Sequence, residues 1–332
     1  MRTPDERDPE NDEEPGLGGG GALVPLDETP LTAVERHVAT FAHSSVLNLS
    51  ERGIVAMREL GLSRLATADA DEVRDLDLSD NLLERIDSAW RGSLRMLSNL
   101  AVLNLAGNRL EGFPAALCQI PSLEELSLAG NWISSAAVPS AEEMSGLKRM
   151  RDLDLSANRL SYLPSGLLWL GKLQRLNLSR NRLEHSSAGE LPEAPWQCLT
   201  SVDLSSAGLL RVPPPLLACL VLRRLLLGGN RLPEVPAALA ALPELEELDL
   251  GGNKLRALPL AFGRTPSLVK LTLGDNPQLE TPPRHVVKLG TRAVLEWLRA
   301  AEGSNAAAVR RESSRAANAT ERAREAEAHA CQ

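Results

Sequence analysis

The sequence predicts an α/β solenoid, a horseshoe of about ten repeats with a parallel sheet on its concave face and a helical cap at each end. Two observations carry this prediction. The pattern Leu-x-x-Leu-x-Leu-x-x-Asn-x-Leu recurs about ten times between Val46 and Leu279, with a typical period of about 23 residues. Within each copy, the spacing of apolar residues changes from two in the first half to three or four in the second half.

The first half of each repeat predicts a short strand. In the segment from Asp152 to Leu155, leucines alternate with aspartates, so leucine lies on one face of the strand and the carboxylates on the other. A strand this short hides its leucines only when the next repeat stacks beside it. Stacked strands lie about 4.8 Å apart, so ten of them span on the order of 45 Å.

An asparagine follows most of the predicted strands, at the point where the chain leaves the sheet. Its amide side chain can pair with backbone groups that no strand satisfies, so we expect a buried structural ladder. Arg52 and Ala207 occupy this position in two other repeats, which predicts a degenerate first repeat and a weaker ladder step at Ala207. The ladder consists of Asn81, Asn108, Asn131, Asn158, Asn181, Asn230, Asn253 and Asn276.

The second half of each repeat predicts a short helical turn behind the sheet. Leu110, Phe113, Leu117 and Ile120 are spaced by three or four residues and therefore share one side of such a turn. Full burial of each leucine contributes roughly 1.5–3 kcal/mol. Three insertions lengthen the spacing between repeats and are expected to bulge on the convex or edge side. They carry Trp90, residues 138–143 and residues 185–190.

The rest of the chain is predicted to form caps and tails. The N-terminal segment is rich in Asp, Glu, Pro and Gly and has too little apolar surface to fold. Thr291 is a candidate N-cap for the C-terminal helix. The predicted division is a disordered tail over 1–28, an N-terminal capping helix over 29–43, repeats over 44–283, a C-terminal cap helix over 284–301, and an Ala/Arg/Glu-rich disordered or frayed helical tail over 302–332.

Composition argues against several classes of function. The net charge of −8 argues against nucleic acid or an anionic membrane as the main partner. No apolar run reaches membrane-spanning length and the N-terminus is acidic, which predicts a cytoplasmic protein without membrane insertion. The four cysteines and five histidines lack the spacing of a metal site, so no metal, no cofactor and no enzymatic activity are expected. A ligase acting through Cys198 is the enzymatic alternative, although little chain follows the repeats to form a catalytic domain.

The repeats carry a family resemblance. Leu-Pro recurs in their second halves, as at Leu163 and Pro164, and the exit segment over 275–298 continues through Pro282 and Pro283 to an apolar helix. Over roughly residues 44–300, the chain resembles intracellular leucine-rich-repeat proteins of the Ras group, including its plant members. The resemblance implies a leucine-rich-repeat horseshoe and a non-enzymatic signalling scaffold or adaptor. Its partner would be a protein such as a small GTPase. The alternative is a structural subunit of a larger cytoskeletal or ciliary assembly.

The candidate partner-binding surface is the concave face. It combines basic residues that follow the asparagines with outward-facing strand residues. Trp and Arg are enriched at binding hot spots. Leu226 is expected to expose an aliphatic group on a polar face. The alternative for the charged residues is that they only keep a solvated face soluble. The candidate residues are Arg109, Trp132, Arg159, Arg182, Arg231, Lys254, Asp152, Arg175, Arg224 and Leu226.

Overall fold

The computed structural model describes residues 44–55, 71–86, 97–184 and 196–304. Within them, ten strands form one open parallel sheet in which each strand pairs with the next along the chain. This confirms the predicted α/β solenoid. The strands are β1 (Val46–Asn48), β2 (Asp75–Asp77), β3 (Val102–Asn104), β4 (Glu125–Ser127), β5 (Asp152–Asp154), β6 (Arg175–Asn177), β7 (Ser201–Asp203), β8 (Arg224–Leu226), β9 (Glu247–Asp249) and β10 (Lys270–Thr272). Repeats are numbered below by the strand that they contain.

Each strand places its central residue in the core and the two flanking residues on the outer face. Leu153 of β5 is buried between two half-buried aspartates. The register aligns Leu153 with Leu126 of β4 on one side and with Leu176 of β6 on the other. The core is therefore a row of stacked leucines, and each repeat shelters the apolar side chains of its neighbours.

Among the described residues, repeat 4 has a 3-10 helix of three residues, Ser135–Ala137, and five other repeats have five-residue 3-10 helices on the convex side. Each of the five-residue helices directly follows a proline, whose fixed φ and missing N–H suit the entry to a helix. The sequence predicts helical turns here, and the 3-10 form is the tighter geometry that such short segments adopt. The five-residue helices are Ala115–Gln119, Ser165–Trp169, Pro214–Ala218, Ala237–Ala241 and Leu260–Arg264.

One of the three insertions is described and lies on the convex side, as predicted. It contains helix α1 (Ala141–Met144), which begins with a capping box formed by Ser140 and Glu143. The insertion packs closely on the neighbouring 3-10 helix, because a Cβ atom on Gly166 would lie 2.2 Å from the carbonyl oxygen of Pro139. The insertions with Trp90 and residues 185–190 lie outside the described residues, as does the predicted capping helix over 29–43.

Two helical segments follow the last strand. Helix α2 (Arg284–Val287) is separated from helix α3, residues 291–304, by Gly290, whose φ of 94° interrupts the helical path. Helix α3 is continuous up to residue 304, the last residue that the structure describes. Among the described residues, no helix is both long and apolar enough to cross a membrane.

Helix α3 covers the open end of the leucine core. Val294 and Leu298 are buried against the last repeat, and Trp297 is half-buried at its edge. The hydroxyl of Thr291 accepts a hydrogen bond from the backbone N–H of Leu271 at 2.9 Å. The residue expected to cap this helix therefore binds β10 and fastens the helix to the sheet edge.

Candidate protein-binding surface

The ladder asparagines are buried and connect neighbouring repeats. Asn158 Nδ2 donates to the carbonyl oxygen of Leu128 in the preceding repeat at 2.9 Å and to that of Leu155 in its own repeat at 3.1 Å. Its Oδ1 accepts the backbone N–H of Ile133 at 3.0 Å. The other seven ladder asparagines make the same kind of bonds. They fix the turn that follows each strand and so position the residue after the asparagine, which is half-buried at Leu82 and exposed in the other repeats with a ladder asparagine.

The residues that follow the asparagines form one row along the rim where the strands end. Except at Pro277, which has no N–H, the backbone N–H of each donates to a carbonyl oxygen of the preceding repeat, so that neighbours in the row are held side by side. Four consecutive members, which we call the arginine rim, are Arg109, Trp132, Arg159 and Arg182. Their N–H groups donate to Leu83, Leu110, Ile133 and Leu160, each at 2.9 Å. Farther along the row, Arg231 and Lys254 are held in the same way by Leu209 and Leu232.

Trp132 and Arg159 are in direct contact within this rim. The guanidinium carbon of Arg159 lies 4.8 Å from the centroid of the Trp132 ring, which is a cation–π geometry. Trp132 remains 40% exposed, so part of the indole is open to a partner. The pair joins an aromatic surface to a positive charge on a backbone that hydrogen bonds hold in place.

The strand arginines among the candidates are engaged by neighbouring acids. Arg175 makes two close contacts with the Asp152 carboxylate, one of them 2.7 Å from Nη2 to Oδ2. Arg224 Nε lies 3.0 Å from Glu247 Oε2, and Lys270 Nζ lies 2.6 Å from Glu247 Oε1. The hydrogen bond from Lys270 and the positive charges of both bases hold the pKa of the Glu247 carboxyl below its usual value. These three predicted site residues, Arg175, Asp152 and Arg224, therefore neutralise charge within the protein.

Aspartates at the last position of four strands have a structural role that the sequence reading missed. Asp154 Oδ1 accepts the backbone N–H of Ser156 at 2.8 Å, which turns the chain as it leaves the strand. A small residue, serine or glycine, two positions beyond each aspartate was the available signal. The equivalent acceptors are Asp77, Asp203 and Asp249.

The remaining candidates differ in exposure. Leu226 is half-buried rather than exposed, because it lies in register between Asp203 and Asp249 on the adjacent strands. Arg231 Nη1 lies 3.2 Å from Glu184 Oε1, two repeats away. Gly208, between them, leaves the row open at this point, so the side chains can meet.

Sequence reasoning also missed Arg180, which is exposed beside the rim. Its φ of 56° is left-handed, a conformation in which a side chain causes backbone strain. Several other repeats have glycine at this position, as at Gly130 and Gly229. Other repeats have small or acidic residues there, such as Ala157 and Ser206, so the signal available in the aligned repeats was the basic side chain of Arg180. Arg180 and Arg182 flank the ladder asparagine Asn181. Arg180 thus places a second positive charge in this repeat, beside the rim.

Nucleophilic chemistry has little support in the described residues. Cys118 and Cys219 are buried in the core, and burial raises the pKa of each thiol to about 12. Cys198 is half-buried. Across the described ranges, no group of three or more His, Cys, Asp or Glu side chains could hold a metal ion. What the structure presents is an open surface of exposed basic and aromatic side chains.

Two family models described as leucine-rich repeat match the sequence, one over residues 71–133 and 221–277 and the other over residues 172–198. The chain folds as a leucine-rich-repeat solenoid. This agrees with the ten-stranded sheet and with the leucine and asparagine ladders. The assignment to the Ras-group class stays a prediction.

Similar proteins carry leucine-rich repeats in several settings. The chain is 32% identical over 89 residues to an Arabidopsis thaliana protein called protein phosphatase 1 regulatory inhibitor subunit PPP1R7 homolog, a match that covers 27% of this chain and 26% of that protein. It is 34% identical over 139 residues to vasorin of Homo sapiens, covering 41% of this chain and 19% of vasorin. The matches thus span about a quarter and a fifth of these relatives.

The fold also resembles a chain in the solved octameric complex of latrophilin 3, Unc5D and FLRT2. The TM-score is 0.51 at 25% sequence identity, with 69% of this chain and 74% of that chain covered. That structure is a protein–protein assembly by its own description. Leucine-rich-repeat proteins commonly mediate protein–protein interaction, and the plant relative is called a regulatory subunit rather than an enzyme.

Proposed function

We propose that this leucine-rich-repeat chain is a non-enzymatic adaptor in intracellular signalling that binds a partner protein on the sheet side of the solenoid. The Trp132–Arg159 pair carries the proposal, because it places an aromatic ring and a guanidinium in an exposed position on a hydrogen-bonded rim. Such residue types supply most of the binding energy at protein interfaces. A rigid backbone also lowers the entropy lost on binding.

The comparisons support an adaptor in a general way. A regulatory subunit acts through contacts with another protein, and the plant relative bears that name. The cytoplasmic location and a signalling partner such as a small GTPase rest on the resemblance to the Ras group. They are part of the proposal.

A structural subunit of a cytoskeletal or ciliary assembly is the second candidate. It would use the side of the solenoid away from the sheet, where two large apolar side chains are exposed. Trp169 is 53% exposed at the end of its 3-10 helix, and Leu220 is 63% exposed beyond the helix Pro214–Ala218. A stable high-mass complex in size-exclusion chromatography of native extract would favour this role, whereas small exchangeable complexes would favour the adaptor.

The test compares two matched double variants of the full chain. Trp132→Ala with Arg159→Glu alters the rim, and Trp169→Ala with Lys172→Glu makes the same chemical changes away from it. Affinity capture from extract of the source cells, read by quantitative mass spectrometry, measures which partners each variant loses. We expect the rim variant alone to lose the main partner, with thermal midpoints unchanged. Loss in the second variant alone would support the structural role, and full retention by the rim variant would refute the proposed surface.

A further inference from the structure

We propose that the arginine rim, together with Arg180, recognises an acidic peptide segment of the partner protein. This inference rests on the proposed function and names the chemistry of its ligand. The exposed cations on the sheet side fall into two classes, which the ion pairs separate. Arg175, Arg224 and Arg231 are paired with acids of the chain itself.

The rim arginines form the second class. Arg109, Arg159, Arg180 and Arg182 have no carboxylate partner within the described part of the chain. The guanidinium of Arg159 lies over the Trp132 ring, and this cation–π contact does not pair its N–H groups with a carboxylate. Each of these guanidiniums can therefore form bidentate hydrogen bonds with a carboxylate of a ligand.

The shape of the rim fits a single chain. Its members stand on adjacent repeats, about 4.8 Å apart along the sheet, in a row one residue wide. Acids lie on both sides of the row. Asp77 and Asp154 end strands on one side, and Glu111 and Glu184 follow the rim residues on the other. A broad polyanion such as duplex nucleic acid would meet these carboxylates, whereas a narrow acidic peptide would avoid them.

The rim ends at a depression in repeat 7. Gly208 stands where the preceding repeat has Arg182, so the row of long side chains is interrupted. The depression is lined by Arg182, Ser206, Gly208 and Gly229, and by Glu184 and Arg231, which are paired with each other. A side chain of the ligand can enter here beside the available guanidinium of Arg182, which would fix the register of the peptide on the rim.

Arg180 adds a further exposed cation beside the rim. Its left-handed backbone is shared by the two neighbouring repeats, which have the small residues Ala157 and Ser206 at this position, whereas Arg180 carries a long cationic side chain. The exposed guanidinium of Arg180 makes no hydrogen bond or ion pair with any other described residue. A carboxylate of an anionic ligand would pair with the guanidinium of Arg180. Replacing it with glycine should therefore weaken binding without lowering stability.

The experiment measures fluorescence anisotropy of a labelled octaglutamate peptide with the full chain at low salt. The rim variant is Arg159→Glu with Arg182→Glu. Its matched control is Arg149→Glu with Lys172→Glu, two exposed bases at the opposite edge of the sheet that change the net charge equally. We expect about tenfold weaker binding or more in the rim variant, corresponding to roughly 1.4 kcal/mol, and about twofold or less in the control. Arg180→Gly should weaken binding with an unchanged or higher thermal midpoint.

Two further probes identify the ligand. A single-stranded oligothymidylate of eight nucleotides should bind more weakly than the peptide, and tighter binding would overturn the inference. Residues 5–14 of the chain carry seven carboxylates, so a full-length variant with the corresponding amides is measured as well. If only that variant binds the peptide, the rim recognises acids and the chain's own segment competes for it.

The inference is overturned if neither form binds octaglutamate, or if the rim variant and its control lose equal affinity. The capture experiment with Trp132→Ala and Arg159→Glu distinguishes this outcome from failure of the proposed function. If that variant still loses its partner, the rim binds protein of other chemistry and only the acidic ligand is refuted. If it keeps its partner too, both proposals fail.

Discussion

The backbone N–H of Leu183 donates to the carbonyl oxygen of Ala207 at 2.7 Å. In the preceding repeat, the equivalent N–H of Leu160 donates to the side chain of Asn181 at 3.0 Å. Repeat 7 thus satisfies the buried donor with its backbone, although its ladder asparagine is missing. The oxygen atoms of Leu178 and Leu204, which an asparagine at 207 would bind, keep partners in Asn181 and Asn230. One gap in the ladder therefore leaves few polar groups unsatisfied.

An asparagine removed elsewhere should not be compensated in this way. In Asn158→Ala, the buried N–H of Ile133 loses its acceptor. An unsatisfied buried donor costs about 1–3 kcal/mol, and we expect the free energy of unfolding to fall by that amount. Asn104→Ala is the control, because Asn104 makes one local bond of 3.1 Å to Ala106 on the outer face. Urea unfolding followed by circular dichroism measures both, and equal losses would contradict the buried ladder.

Trp196 joins the core to the convex side of the preceding repeat. Its side chain is 1% exposed, and Nε1 donates to the carbonyl oxygen of Leu167 at 2.8 Å. Trp196→Phe removes this donor and leaves a cavity, so we expect a loss of about 1–3 kcal/mol in unfolding free energy. Trp169→Phe, at an exposed position, should stay within about 0.5 kcal/mol of the parent. A large effect at Trp169 and none at Trp196 would reverse the burial assigned to them.

The core thiols should resist alkylation in the folded protein. Burial raises the pKa of Cys118 and Cys219 to about 12, so little reactive thiolate forms near neutral pH. Iodoacetamide at pH 8, with peptide-resolved mass spectrometry, should label half-buried Cys198 much faster than either core thiol. The difference should disappear in urea. Rapid labelling of Cys219 in the native state would show that its repeat opens readily.

The sequence was sufficient to predict the core and the ladder, because both follow from periodicity. Alternating leucines such as Leu153 and Leu155 can be buried only on one face, and stacking of repeats is the only way to cover them. Asn158 follows at a fixed offset where backbone groups need a partner. These features are local and repeat along the chain.

The candidate surface could be predicted only in part, because its charges interact between repeats. Arg175 reaches Asp152 because β5 and β6 lie in register, a relationship that no single repeat contains. Arg231 meets Glu184 because Gly208 stands between them. Arg180 differs from its counterparts Ala157 and Ser206 in the adjacent repeats by its charge, while all three share a left-handed backbone. Position on the outer face was thus predictable, whereas the charge left available to a ligand required the structure.

The cluster of Arg224, Glu247 and Lys270 should make a small, pH-dependent contribution to stability. The pKa of Glu247 is lowered in the folded state, mainly by the hydrogen bond from Lys270. Its ionised form therefore stabilises the fold at pH values above the pKa of an unfolded glutamate, about 4.3, and this contribution is lost as the pH falls through the lower folded pKa. Glu247→Gln should reduce the unfolding free energy at pH 7 by about 0.2–1 kcal/mol, as for other partly exposed pairs.

The measurement is a series of urea unfolding curves between pH 7 and a pH well below 4. We expect the difference between the parent and Glu247→Gln to shrink as the carboxyl is protonated, and to shrink at pH 7 when salt screens the pair. Glu234→Gln is the control, since Glu234 is exposed and has no ion-pair partner in the described part of the chain. A difference that stays constant down to low pH would mean that Glu247 acts through packing. In that case the charge of Glu247 would not neutralise Arg224 and Lys270. These two strand cations would then be as available to a ligand as the rim arginines, which would contradict the division between paired and available cations.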